Sequence, residues 1–279
     1  MAKAGAEGGA MAGMRDGVVR SALLVCLFIP VFFAYAALGS RFGLHDWRVG
    51  LGTLMRDVGP ILLFGGFGVA LLALGLSLLI KPRRGAITAL VALLIPAAGI
   101  GYAGYVQQRA ATIPPIHDIS TNLADPPAFS AAVVAARAQT RCVNDLDFAT
   151  KRVGGNSDPT CVMAGGEPGP LAIDLHRQGY SDIAPIVTPL EPAAAYARAL
   201  TVAEAQGWAI GTRDEAGGVI EATATSFWFG FVDDIAIRVR PKAEGGSVVD
   251  VRSVSRVGVS DLGANAARIR AFEAAFEAP

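Results

Sequence analysis

Between Val58 and Val106 the chain reads VGPILLFGGFGVALLALGLSLLIKPRRGAITALVALLIPAAGIGYAGYV. Only Lys81, Arg83 and Arg84, at its middle, carry charge. The runs on either side, Val58–Ile80 and Gly85–Val106, each have about the 20 residues that cross a hydrocarbon core roughly 30 Å thick. A third uncharged run, Ser21–Ser40, lies upstream. Three such runs within one short stretch of chain fit bilayer crossings better than helices buried in a single globular core. The turn Lys81-Pro82-Arg83-Arg84 is too short for anything but a hairpin, and its cations mark it as cytoplasmic.

Orientation follows from that turn. The N-terminus, with Lys3, Arg15 and Arg20, shares its side, and the loop Arg41–Asp57 lies on the other. The inner side then holds six Lys/Arg and the outer loop three, Arg41, Arg48 and Arg56. Everything after about Gln107 lies outside the cytoplasm. Ala34-Tyr35-Ala36 also fits the small-residue site at which a secretory leader is cleaved, so the first run is either an uncleaved span or a leader. Both readings export the remaining chain. The expected organisation is a cytoplasmic tail over 1–20, a three-helix membrane region over 21–106, a linker over 107–127 and an exported domain over 128–279.

Composition agrees. Of 279 residues 52% are apolar and 17% charged, against about a quarter charged in ordinary soluble chains. Residues 1–106 hold nine Lys/Arg against four Asp/Glu and residues 107–279 hold fifteen against twenty, so the two parts carry +5 and −5. An acidic exported part is a poor partner for nucleic acid. No ionisable side chain interrupts a span, which argues against an ion or proton pathway. The spacings Gly66 to Ala70, Ala73 to Ser77 and Ala97 to Gly101 let helices approach closely.

Cys26 falls within the first span. Cys142 and Cys161 fall in the exported part, flanking a turn-rich stretch, and an oxidising compartment favours one disulfide between them. Cys142–Ser181 otherwise reads as loop. Phe129–Arg141 reads as a short helix and Ile183–Leu190 as a strand. A helix opens at Glu191-Pro192 and closes at Gly207. Trp208–Arg213, Val219–Ser226, Asp233–Arg240 and Ser247–Val257 read as strands, and a last helix starts with Asp261 as its N-cap. The expected fold is three transmembrane helices plus an exported α+β domain with a four- to five-stranded, mostly antiparallel sheet covered by helices.

Strand alternation sets Ile235, Ile237 and Val239 on one face and Arg238 and Arg240 on the other; the next strand adds Asp250, Arg252 and Arg256 to the polar face. Arg268 and Arg270 of the last helix stand near it. This Arg/Asp face is either a solvated surface with cross-strand ion pairs or a site for an anionic group held by guanidinium forks. Of Asp233 and Asp234, neighbours that point to opposite faces, one pairs with an arginine of the adjacent strand. The aromatic run Phe227-Trp228-Phe229-Gly230-Phe231 fits core, a ligand pocket or a tip dipping into the membrane interface. His117-Asp118 has no nucleophile elbow to serve. No P-loop, dinucleotide fingerprint, EF-hand loop or H-E-x-x-H is present, so neither a cofactor nor a metal is expected.

Ile116-His117-Asp118-Ile119-Ser120-Thr121 and Pro126-Pro127-Ala128-Phe129 resemble the opening of the bacterial and plastid family called domain of unknown function 1499. Phe231–Arg238, Val249–Gly258, Ser260–Asn265 and Arg268-Ile269 resemble its closing half, and the likeness spans about residues 113–276. The resemblance implies an exported, membrane-linked domain of no established activity. It also implies that Asp234, Arg238, Asp250, Arg252, Arg256 and Asn265 belong to a shared pattern, here the candidate ligand-binding set. No catalytic residue is expected from it. With the orientation above, it points to the bacterial inner membrane, N-terminus cytoplasmic and C-terminal domain periplasmic. Two functions fit. One is a non-enzymatic accessory protein that binds an envelope ligand, a lipid or another integral membrane protein. The other is an envelope hydrolase or transferase for an anionic substrate, with Arg238, Arg252 and Arg256 as clamp and Asp234 as base.

Overall fold

A computed structural model describes residues 2–153 and 169–278. They form two compact units. One contains the chain up to Arg109 together with Phe227–Gly230; the other contains Ala110–Ser226 and the chain from Phe231 onward.

The first unit is helical: α1 (Ala2–Arg41), α2 (Gly59–Leu79) and α3 (Ala86–Thr112). The segment expected as the loop Arg41–Asp57 is largely a wide-turned π-helix, Arg48–Val58, that runs directly into α2. Three helices are long and apolar enough to cross a membrane: Gly9–Arg41, Arg48–Leu79 and Ala86–Thr112. Small residues set their packing. Gly66, Ala70, Ala73 and Ser77 are buried along one stripe of α2, and Ala73 meets Val19, Ala22 and Ala89. A Cβ at Gly66 would sit 2.7 Å from Ile29 Cδ1, so a larger residue there would require the Ile29 side chain of α1 to shift. The third small-residue pair differs, because Gly101 faces open space. Arg15, 1% exposed, donates to the carbonyls of Ile80 (3.2 Å) and Pro82, placing a cation where α2 leaves its last carbonyls unpaired.

The second unit is α+β. Its sheet has six strands, all antiparallel, where four to five were expected: β1 (Asp118–Ser120), β2 (Ile186–Thr188), β3 (Ala209–Asp214), β4 (Val219–Thr225), β5 (Val232–Pro241) and β6 (Ser247–Ser255). Spatial order is β1-β6-β5-β4-β3, and β2 pairs the start of β6 while β1 pairs its end. The additional strand is β1, which lies within the expected linker. Three residues show no alternation, and only the ladder to Arg252–Val254 makes them a strand. Helices are α4 (Ala131–Ala138), α5 (Ala172–Gly179), α6 (Pro192–Ala205) and α7 (Ala264–Glu277). Helix α5 corrects the expectation of continuous loop from Cys142 to Ser181. Cys161, the expected disulfide partner of Cys142, lies outside the described residues.

At α7 the N-cap is Gly263, at φ 82°, rather than Asp261. Asp261 still caps the helix from two residues upstream, accepting from the amides of Gly263 (2.8 Å) and Asn265 (2.7 Å). Helices α6 and α7 close one face of the sheet. Ile220, Ile235, Ile237, Val249 and Val251 meet Ala199, Ile269 and Phe272 there, and Trp208 stacks on Phe272 with centroids 5.7 Å apart. This single face buries the bulk of the apolar core.

Candidate functional site

The opposite face is the Arg/Asp face, and it is not a solvated surface. The chain from Thr121 to Lys151, α4 included, lies over it and is tied down at both ends. Thr121 donates its amide to Val251 O and accepts the Val251 amide on Oγ1, each at 2.9 Å. Lys151, 7% exposed, reaches Asp118 at 3.1 Å. Beneath this cover three aspartates are sealed, and each takes two cations.

Asp234 on β5 accepts Arg256 at 2.9 and 2.7 Å and Arg137 of α4 at 2.6 Å. Asp118 on β1 takes Arg252 at 3.0 and 2.8 Å together with Lys151. Asp250 on β6 takes Arg238 at 2.8 Å and Arg240 at 2.7 Å. The guanidinium of Arg252 lies over the rings of both Phe129 and Phe148, 5.4 and 5.2 Å from their centroids. Glu221 on β4 anchors the start of α4: its carboxylate accepts the amide and hydroxyl of Ser130, at 2.5 and 2.7 Å, and the hydroxyl of Thr212 at 2.6 Å. Ser130 is the N-cap of that helix.

Pairing governs the electrostatics. Burial alone pushes the Asp118 carboxyl up, but the Lys151 ammonium and the Arg252 guanidinium outweigh it and hold the group at about 2. At the neighbouring histidines burial outweighs the nearby carboxylates, Asp118 among them. Burial, and for His117 also the nearby Lys151, lowers both His117 and His176 from the ordinary value. His117 Nδ1 lies 3.1 Å from Val259 O, so its ring serves the backbone and not Asp118. That arrangement gives no support to a His117-Asp118 relay. His176 Nε2 accepts the Ser120 amide at 3.3 Å.

Five of the six expected residues, Asp234, Arg238, Asp250, Arg252 and Arg256, therefore share one face, divided among three ion-pair clusters centred on Asp234, Asp118 and Asp250. Asn265 does not. It sits on α7 across the sheet, where it accepts from Ser253 Oγ at 2.6 Å and donates to Ser255 Oγ at 2.9 Å and His117 O at 3.0 Å. Arg268 is also on that side, pairing Asp233 at 2.6 Å, and Arg270 pairs Asp182. Asp233 and Asp234 thus point to opposite faces, each with its own arginine. Alternation over β5 and β6 does not reach Arg137, Lys151, Asp118 and Glu221, which enter the layer from a helix, a loop, the three-residue β1 and the neighbouring strand β4. As an acid–base group Asp234 is fully committed, since both its oxygens take guanidinium protons under complete burial.

The layer opens at one end. Side chains are 20% exposed at Arg238 and 41% at Arg240, and both also pair Asp125, 60% exposed, on the turn that begins the cover. Among the described residues Arg240 Nε is buried with no partner, and no cluster of side chains suits a metal ion. A cleft of about 300 Å³ lies elsewhere, between β2 and the end of α7, lined by residues including Leu190, Arg198 and Phe276.

A six-stranded antiparallel sheet with helices on one face and an ionic layer under a crossing segment on the other defines the class of this domain. The family model described as "Protein of unknown function (DUF1499)" matches residues 118–276, which is more than half of the chain, and the chain belongs to that family. That match begins at the first strand of the sheet and ends within α7. None of the curated proteins compared matches the chain.

Proposed function

We propose that this protein is an accessory component of the cell envelope, held by its three helices in the bacterial inner membrane with the N-terminus cytoplasmic and the sheet domain periplasmic, and that it binds an anionic group without transforming it. Orientation is supported by the hairpin turn Lys81–Arg84 and by Arg15, whose side chain joins that turn at one end of the helical unit. The binding reading rests on the open end of the ionic layer. There Arg238 and Arg240 are held rigidly by buried Asp250, while their second counter-ion, Asp125, is exposed and exchangeable. A carboxylate or phosphate on a lipid, an envelope ligand or a neighbouring membrane protein would displace Asp125 and also satisfy Arg240 Nε. The sealed remainder (Asp118, Asp234, Arg252, Arg256) acts as the frame that fixes both arginines.

The test is purification of the full chain in mild detergent, with mass spectrometry of co-purifying proteins and lipids. Wild-type protein brings down a stoichiometric anionic partner, and the Arg238→Gln/Arg240→Gln variant loses it. Repeated recovery of the bare protein, or equal recovery with both, rejects the reading.

A further inference from the structure

The β4–β5 connection bears on how this chain meets the bilayer. Ser226–Phe231 forms a closed tip: the Ser226 amide donates to Phe231 O at 2.8 Å, the Phe231 amide donates to Ser226 Oγ at 2.9 Å, and Gly230 turns the chain at φ 69°. These two bonds satisfy the amides of the residues at the base of the tip. Phe227 and Trp228 project from it, 67% and 57% exposed, and pack edge to face with centroids 5.2 Å apart. From Thr225 to Val232 no residue carries charge. Two large exposed rings on an uncharged tip form an apolar wedge that water does not favour.

What covers the wedge is indicated within the helical unit, to which Phe227–Gly230 belongs. The Arg41 guanidinium lies 5.5 Å from the centroid of the Phe227 ring, and Arg41 is the last residue of the span Gly9–Arg41. Past that span end, Phe42 and Leu44 are 70% and 69% exposed, and the Arg48 guanidinium lies over the Trp47 ring at 5.8 Å. Aromatic rings and cations gathered where a membrane helix ends are the composition of an interfacial belt at headgroup level.

We infer that Phe227 and Trp228 insert into the headgroup region of the bilayer as part of this belt, giving the sheet domain a membrane contact besides its covalent tether to α3. The occupant of the wedge is phospholipid, not a protein.

The full chain is reconstituted in phosphatidylcholine vesicles and floated on a density gradient, so that failure to enter the membrane is scored separately from the tip. In a Trp47→Phe background, subtracting the emission of the Trp47→Phe/Trp228→Phe variant isolates Trp228, because Trp208 is buried against Phe272 and common to both. Trp228 emission is expected to be blue-shifted, lost to lipid brominated near the top of the acyl chain, and little affected by aqueous iodide. Free quenching by iodide with indifference to brominated lipid overturns the inference. Protection from iodide that disappears as protein is diluted with lipid also overturns it, because a second copy would then be the cover.

Discussion

The two faces of the sheet are both covered, by opposite chemistry. Under α6 and α7, Ile235, Ile237 and Val251 are wholly buried among aliphatic and aromatic side chains; under the Thr121–Lys151 cover, Asp234 and Asp250 are wholly buried among arginines. The first arrangement is stable for each methylene withdrawn from water. The second costs desolvation on every ion and breaks even only when each charge meets full counter-charge at good geometry. Two cations for each buried aspartate supply that. Charge on a strand face is therefore no sign of a wet surface or of a reactive site. Here it lets a polar cover segment be held in one register, and counter-charge thins out at Arg238 and Arg240, the end at which we propose that an anionic group binds.

Removing one member from each face probes the contrast most strongly. Phe272→Ala opens a cavity in the apolar face and should cost about 3–5 kcal/mol. Asp234→Ala should cost a similar 3–5 kcal/mol, roughly, for a different reason: Arg137 is left charged beneath the cover with no carboxylate. The faces then separate on repair. Adding Arg137→Met to Asp234→Leu removes the stranded charge and should restore a large part of the loss, whereas Arg137→Met in the Phe272→Ala background should only add to it. Urea unfolding of the full chain in mild detergent, followed by tryptophan emission, measures all of these. Equal behaviour of the two backgrounds would mean the ion pairs are incidental to the packing.

Acid sharpens the same contrast with a smaller effect. The Asp118 carboxyl lies at about 2 in the fold, below the ordinary 3.8 of the unfolded chain. A depressed folded value means that its stabilisation is complete above 3.8 and is lost as pH falls through 2. The shift corresponds to about 2 kcal/mol. Unfolding measured through that window should fall more steeply for wild type than for Asp118→Asn, while Phe272→Ala should keep the wild-type slope. At milder acidity His117 and His176 act in the same direction. His117 and His176 are lowered in the fold, so the unfolded chain takes up protons first and stability declines as pH drops below 6.5.

The two faces were not equally legible in the sequence. Alternation over β5 and β6 set the side of every residue, and Pro192, Gly207 and the Gly-Gly turns bounded α6 and the hairpins, because these are local signals of period and backbone freedom. The apolar face needed nothing further: hydrophobic side chains on one face must be covered. The polar face needed knowledge of its cover, and β1, Arg137 and Lys151 reach it only through contacts far apart in sequence, such as Arg137 with Asp234. An arginine in an alanine-rich eight-residue helix carries no mark that separates a buried ion pair from a solvated side chain. Asn265, which the family resemblance puts in the candidate set, lies across the sheet on α7, and periodicity within that helix does not state which side of the sheet it packs on.

The smallest effect is expected where geometry is as good but burial is absent. Arg270 and Asp182 form a two-pronged pair at 2.5 and 2.8 Å, as short as any in the ionic layer, yet their side chains are 43% and 55% exposed. Water solvates both partners when they separate, and ordering two long side chains offsets the remaining attraction. Arg270→Gln should therefore change stability by no more than about 1 kcal/mol, with a further decrease in added salt. Part of even that effect belongs to the Tyr180 ring, 5.5 Å below the Arg270 guanidinium, and Asp182→Asn, which spares the stacking, should cost less. If Arg270→Gln instead proved as damaging as Asp234→Ala, bond length rather than sealing from water would be the origin of the stability of the ionic face.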